Sequence, residues 1–191
     1  AIRAGLQDQS LQAVTDCANS SVSADRVVHD VADAYSRAAS QKGIRISVVT
    51  EERLSQEVQG HRARIVQALE ALVENAVKFS PNGGDIQVSA KVVDTSIVVE
   101  VSDMGIGIPP TDVDRVFDRF FRASNAREME SQGAGLGLAI ARAIVRKHGG
   151  EITVTSAPEE GTLVRVILPL AHQGHMYREG GDRDGESPGG R

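Results

Sequence analysis

Three short clusters in the chain have residue types and spacings that could do chemistry. They are Glu74-Asn-Ala-Val-Lys-Phe-Ser80, Asp103-Met-Gly-Ile-Gly-Ile108 and Gly133-Ala-Gly-Leu-Gly-Leu138. Asn75 and Lys78 lie three residues apart, so on a helix they project from nearly one face. An amide oxygen is a hard ligand suited to Mg²⁺, and a lysine ammonium is a flexible point charge suited to phosphate. The same spacing also suits a solvated helix edge. Asp103 stands where a strand is expected to end. A carboxylate there can accept a hydrogen bond from the exocyclic amine of adenine, whereas guanine presents a carbonyl that it would repel. Gly105 and Gly107 allow close backbone approach. An ordinary Asp-x-Gly turn has the same pattern. The third cluster is not a dinucleotide fingerprint, because Leu138 takes the sixth place, and no Gly-Lys-Ser/Thr follows to make a Walker loop. It does open a helix, where free N–H groups and the helix dipole attract phosphate; a flexible hinge is the plainer reading. Taken together and in this order, the three clusters suggest one nucleotide site.

Elements must bring these clusters together. Val27, Val28, Val31, Ala34, Tyr35 and Ala38 recur at helical spacing and predict a helix over 23–41, capped by Ser23 and stopped by Gly43. Alternation predicts a strand over 44–49, and 56–59 is a short second one. Ile65, Ala68, Leu69, Leu72, Val73 and Ala76 predict the buried stripe of a helix over 61–79, followed by the Pro81-Asn-Gly-Gly84 turn. Residues 85–91 and 96–102 form a hairpin around Asp94 and Thr95. Residues 105–134 lose clean periodicity, which in a compact domain marks a functional segment such as a lid. Within it a short helix over 111–117, capped by Thr111, is expected, and 123–132 reads as mobile. Leu138, Ile140, Ala141, Ile144 and Val145 predict a helix over 136–147, ended by His148-Gly149-Gly150. Residues 151–156 and 162–168 form a last hairpin. The order gives an α/β fold in two layers, a mixed and largely antiparallel sheet with helices on one face.

Residues 1–22 read as a linker or the end of an upstream helix, 23–170 as one domain, and 171–191, rich in Gly, Asp, Arg and Glu, as a disordered tail. The 191 residues suit one domain with such a tail. A formal charge of −5 disfavours a nucleic-acid partner. The single Cys17 excludes an internal disulfide and a cysteine zinc site. No apolar run is long enough to cross a bilayer, and the given chain reads as a soluble, monomeric piece of a longer protein.

With these motifs, residues 23–170 resemble the catalytic, ATP-binding domain of sensor histidine kinases, within the GHKL ATPase group. The first cluster resembles the N box, 103–108 the first G box, 116–122 the F box and 133–138 the second G box; the His148-Gly-Gly and Leu168-Pro169 ends match as well. The resemblance implies a Bergerat-type α/β sandwich holding ATP under a mobile lid. It implies that Asn75 holds Mg²⁺, that Lys78 approaches the phosphates, that Phe79 lines the adenine pocket and that Asp103 reads the adenine amine. Gly105, Gly107 and Ile108 would shape the base pocket. Gly133, Gly135, Leu136 and Gly137, ending at Leu138, would wrap the phosphates. Phe117 and Phe120 would anchor the lid. Arg119 and Arg122 would either stabilise charge on the transferred phosphoryl group or serve only the lid surface.

Two positions depart from the family pattern. Ala71 stands where many members carry a second Asn, and Ala134 where a Ser or Thr is frequent; the second change removes a hydrogen bond worth about 1 kcal/mol. Modest ATP affinity, not far tighter than micromolar, is therefore expected. None of His29, His61, His148, His172 or His175 lies in a phosphoacceptor context, so the implied acceptor is a separate dimerisation domain, with a response regulator further downstream. The resemblance also implies a cytoplasmic domain of a membrane-bound parent. Two other functions remain open: an ATPase that hydrolyses ATP to drive conformational change, and a non-catalytic nucleotide-binding module. Ala71 disfavours hydrolysis, since the hydrolysing relatives use a helix Glu there and Glu70 and Glu74 point away from that face.

Overall fold

The computed structural model describes residues 21–51, 54, 56–128 and 133–171. The expected linker up to residue 20, the four residues 129–132 of the expected mobile stretch and the tail from 172 lie outside them. Ser21–Ser23 (β1) leads into helix Ala24–Gln41 (α1), then Arg45–Thr50 (β2), Glu57–Gln59 (β3) and helix Arg62–Phe79 (α2). Asp85–Val93 (β4) and Ser96–Asp103 (β5) follow, then the short helices Pro110–Val113 (α3) and Ser124–Glu128 (α4). Helix Gly137–Lys147 (α5), Glu151–Ala157 (β6) and Gly161–Pro169 (β7) complete the order.

The main sheet runs β2-β4-β5-β7-β6. Only β2 and β4 pair in parallel; the other neighbours are antiparallel. The pleat puts alternate residues on one face, and Ile86, Val88 and Ala90, Ile97, Val99 and Val101, and Val164, Val166 and Leu168 are all buried in the core with α1, α2 and α5. On the other face Arg165 Nε donates to Glu100 Oε1 at 2.7 Å. The two-layer sandwich expected from the pattern is the observed one.

Local chemistry sets the helix ends. The Ser23 side chain accepts from the Arg26 N–H at the start of α1. The buried residues of α2, Ile65, Ala68, Leu69, Leu72, Val73, Ala76 and Val77, repeat at three and four. Its C-terminal carbonyls are satisfied from outside: Lys42 Nζ donates to the carbonyl oxygens of Val77 at 2.8 Å, Lys78 at 3.2 Å and Ser80 at 2.8 Å. A cation at a helix C-terminus also opposes the dipole. At the other end of the helix layer, His148 Nε2 accepts from the His61 N–H at 3.1 Å, and Nδ1 bonds to the Ile144 carbonyl at 2.8 Å. That tautomer ties the end of α5 to the start of α2.

Two expectations are corrected. Ser21 and Val22, read as linker, belong to a strand, because β1 pairs with β3 and places Val22 opposite Val58. Three polar-flanked residues carry too little alternation to be read as a strand. The short helix begins at Pro110, with no side-chain cap from Thr111, and ends at Val113. Proline is favoured at the first helical position because its missing N–H is not needed there. Beyond it the chain continues through turns, with Arg115 and Asp118 N–H groups bonded three residues back.

Candidate active site

Beneath the end of α2 lies a cleft of about 350 Å³. Asn75, Lys78 and Phe79 line it from α2, Asp103, Gly107 and Ile108 from the end of β5, and Gly133, Gly135, Leu136, Gly137 and Leu138 from the entry to α5. The residues expected to act together therefore converge from three distant parts of the chain.

The strand period explains Asp103. It shares the helix-facing side of β5 with Ile97, Val99 and Val101, but as the last residue it meets the cleft where its predecessors meet core. Its Oδ1 accepts from the Gly105 N–H at 2.8 Å. Burial pushes its pKa up to about 6, against the opposing hydrogen bonds from the Gly105 and Thr162 N–H groups. The folded value lies above the ordinary 3.8, so the ionised carboxylate costs the folded state on the order of 3 kcal/mol at neutral pH. That cost is relieved as pH falls through the folded value.

Gly105 itself stands behind the acid rather than in the cleft wall: a Cβ there would come within 2.6 Å of Asp103 Oδ1 and 2.7 Å of the Phe79 carbonyl oxygen. Gly107 has φ +65°, and a Cβ on it would overlap the Ala157 carbonyl oxygen. The turn is thus pressed against α2 on one side and the end of β6 on the other.

On α2, Ala71, Asn75 and Lys78 lie along one edge of the buried stripe, facing the α5 entry. A Cβ on Gly137 would lie 3.7 Å from Ala71 Cβ and 3.8 Å from Asn75 Nδ2, and one on Gly133 would lie 2.6 Å from Lys78 Nζ. Lys78 Nζ also sits 5.0 Å above the Phe79 ring. Burial and then the nearby Arg122 guanidinium lower the Lys78 pKa, while Glu74 opposes them. Two cations therefore face one cleft, an arrangement that favours a polyanion.

The aromatic and arginine expectations divide. Arg122 lines the cleft and donates to the Ala126 carbonyl at 3.0 Å. Arg119 and Phe120 do not line it; they border a separate groove with His61, Ile140 and Lys147. Phe120 is 72% exposed, its φ of +64° set where its N–H donates to the Gly135 carbonyl. Phe117 also lies outside the cleft, part-buried against the core, with the Arg142 guanidinium 5.1 Å from its ring centroid. Besides Phe79, the aromatic in the cleft is Phe121, covered by Arg115 at 4.4 Å.

Further contributors were not anticipated. Asp112, buried, accepts from the Ser124 N–H at 2.7 Å and its hydroxyl at 2.9 Å; those bonds hold its pKa below the ordinary carboxylate value. They fix the start of α4, from which Asn125 and Ala126 line the cleft. Thr162, the β7 partner of Asp103, completes the floor. Ser124, the first residue of α4, was the one available signal for this anchoring.

Among the described residues no three His, Cys, Asp or Glu side chains cluster to hold a metal. A cation here would take most ligands from phosphate and water, as Mg²⁺ does, and the Asn75 amide oxygen fits that donor set. No helix among the described residues is long and apolar enough to cross a membrane.

Comparison with known proteins identifies the family. The family model described as histidine kinase-, DNA gyrase B-, and HSP90-like ATPase matches residues 60–172. The sensor-like histidine kinase SenX3 of Mycolicibacterium smegmatis is 36% identical over 148 residues, 78% of this chain and 38% of that protein. The chain thus spans well under half of that relative's length. The solved mycobacterial sensor histidine kinase MprB superposes with TM-score 0.67 at 30% identity, covering 80% of this chain and 97% of that one. Full-length ShkA, solved in complex with AMPPNP, superposes with TM-score 0.70 at 28% identity, covering 80% of this chain and 31% of that one. This chain belongs to the family of histidine kinase-, DNA gyrase B- and HSP90-like ATPases.

Proposed function

We propose that this domain binds ATP with Mg²⁺ and donates the γ-phosphoryl group to a histidine on a separate dimerisation domain, as the kinase half of a two-component sensor protein. The observation that carries the reading is the convergence of Asp103, the Asn75–Lys78 edge of α2 and the 133–138 glycine run on one cleft. Asp103 accepts from the adenine amine. Bare backbone at the start of α5 receives the phosphates. Lys78 and Arg122 face the phosphate end, and Arg122 is the arginine placed to stabilise charge on the group in transfer. Asn75 would hold Mg²⁺, which neutralises phosphate charge when bound. Ala71 leaves the α2 edge without the carboxylate that would activate water, which favours transfer over hydrolysis. The domain would work on the cytoplasmic side of a membrane-bound parent, upstream of a response regulator.

The test is incubation with γ-labelled ATP, Mg²⁺ and a phosphoacceptor domain supplied in trans. Acid-labile label on the acceptor is the expected result. Free phosphate alone would point to a hydrolase, and binding without turnover to a regulatory module. In Asn75→Ala, ATP affinity is expected to lose its dependence on Mg²⁺.

The Asp103 pKa predicts a pH response. The ionised acid is the stronger acceptor, and its folded value is about 6. ATP affinity is expected to hold at and above neutrality and to fall as pH drops through that value. Titration calorimetry across this range measures it; a flat profile would remove Asp103 from the base contact.

A further inference from the structure

Asn125 on α4 has an amide whose two ends are differently placed. Its Nδ2 donates to the Gly107 carbonyl at 2.9 Å and approaches the Ile106 carbonyl at 3.5 Å. Both neighbours are acceptors, so the nitrogen end must face them and the amide orientation is fixed by the network. The oxygen end is then turned away, and Asn125 Oδ1 is buried with no hydrogen-bond partner. A buried acceptor without a donor is costly and uncommon in folded proteins. Asn125 lines the same cleft as Asp103, and the backbone it holds is the turn that begins at Asp103.

The position is not accidental to the local chain. Asp112 anchors the residue before it, through the Ser124 N–H and hydroxyl. Arg122 holds the residue after it, through the Ala126 carbonyl. The amide is therefore clamped from both sides, with one buried acceptor left over beside a cleft whose other base-reading group is also an acceptor.

We propose that Asn125 is a second specificity-determining residue for the base: its Oδ1 accepts one N–H of the purine 6-amino group while Asp103 accepts the other. This rests on the ATP-binding reading above. A 6-amino group carries two N–H donors and satisfies two acceptors; a 6-carbonyl, as in guanine or hypoxanthine, meets both acceptors with a lone pair and is rejected twice.

The test compares ATP with purine riboside triphosphate, which lacks any 6-substituent, on the wild-type chain, Asn125→Ala and the milder Asn125→Ser, by calorimetry. Thermal unfolding without nucleotide reports whether each variant is folded. The expected result is that both variants lose about tenfold in ATP affinity while affinity for the analogue is unchanged. Equal losses for the two ligands would mean that Asn125 only supports the Gly107 turn, and would overturn the proposal. No loss for either would mean that water satisfies Oδ1, and would overturn it too. A wild-type chain that binds neither ligand would remove the ATP reading itself, and this proposal with it.

Discussion

Asp103→Asn is expected to weaken ATP binding by about 100-fold and to leave the chain folded. The acid is the one charged acceptor presented to the base at the end of β5, and hydrogen bonds to a charged group contribute about 1.5–3 kcal/mol. The amide also places an NH₂ against the amine, a donor against a donor, so the upper end of that range applies; 2.8 kcal/mol is roughly a hundredfold. Stability moves differently. The buried carboxylate, its pKa raised to about 6, is a cost to the folded state at neutral pH, and the substitution removes it. Against this, the side chain accepts from both the Gly105 and Thr162 N–H groups, and an amide has a single oxygen to offer. The two effects oppose, and the unfolding midpoint of the free protein is expected to stay within a few degrees of the wild type. Affinity by calorimetry and unfolding by circular dichroism separate the two. A variant that binds ATP normally would detach Asp103 from the adenine; one that unfolds would make it a structural residue.

Gly107→Ala is expected to be the most damaging small substitution in the cleft. At φ +65° an L-residue is strained, and the methyl would overlap the Ala157 carbonyl oxygen. The turn has little room to yield. The Ile108 N–H donates to Ser156 Oγ at 2.9 Å, the Glu159 N–H donates to the Ile106 carbonyl at 3.0 Å, and Asn125 holds the Gly107 carbonyl. Backbone strain and the forced shift together are expected to cost at least about 3 kcal/mol, a fall in Tm of roughly 10 °C for a domain of this size. Gly83→Ala is the control. Its φ is +80°, yet a Cβ there meets nothing within 4 Å, so only the backbone term of about 1 kcal/mol applies. Equal losses in the two variants would show that the contact with Ala157 does not matter.

The elements of the fold were legible because each carries its own period. The α2 stripe can be counted off the chain, and β5 alternates until it delivers Asp103 on the core side. The glycine clusters announced themselves by composition. The lid region did not, because no local rule governs it. Phe117, Phe120 and Phe121 sit within five residues of one another, and nothing in their order says that Phe121 enters the cleft while Phe120 faces solvent. That choice is made by the bond from Phe120 N–H to the Gly135 carbonyl, a partner fifteen residues away. Arg119 and Arg122 were separated in the same way, one to each side of the turn.

What the sequence by itself determined was the inventory: the helices and strands, the amide, acid and glycines of a nucleotide site, and the order in which they occur. Those features follow from short-range physics, from side-chain periodicity, turn chemistry and helix starts. Only the tertiary structure decided which groups share the cleft, that Lys42 caps the end of α2, that Asp112 anchors α4, and that the Asn125 oxygen is left buried and unpaired. Each of these depends on a contact between segments distant in sequence or on the packing around it, and such contacts leave no periodic trace in the chain that makes them.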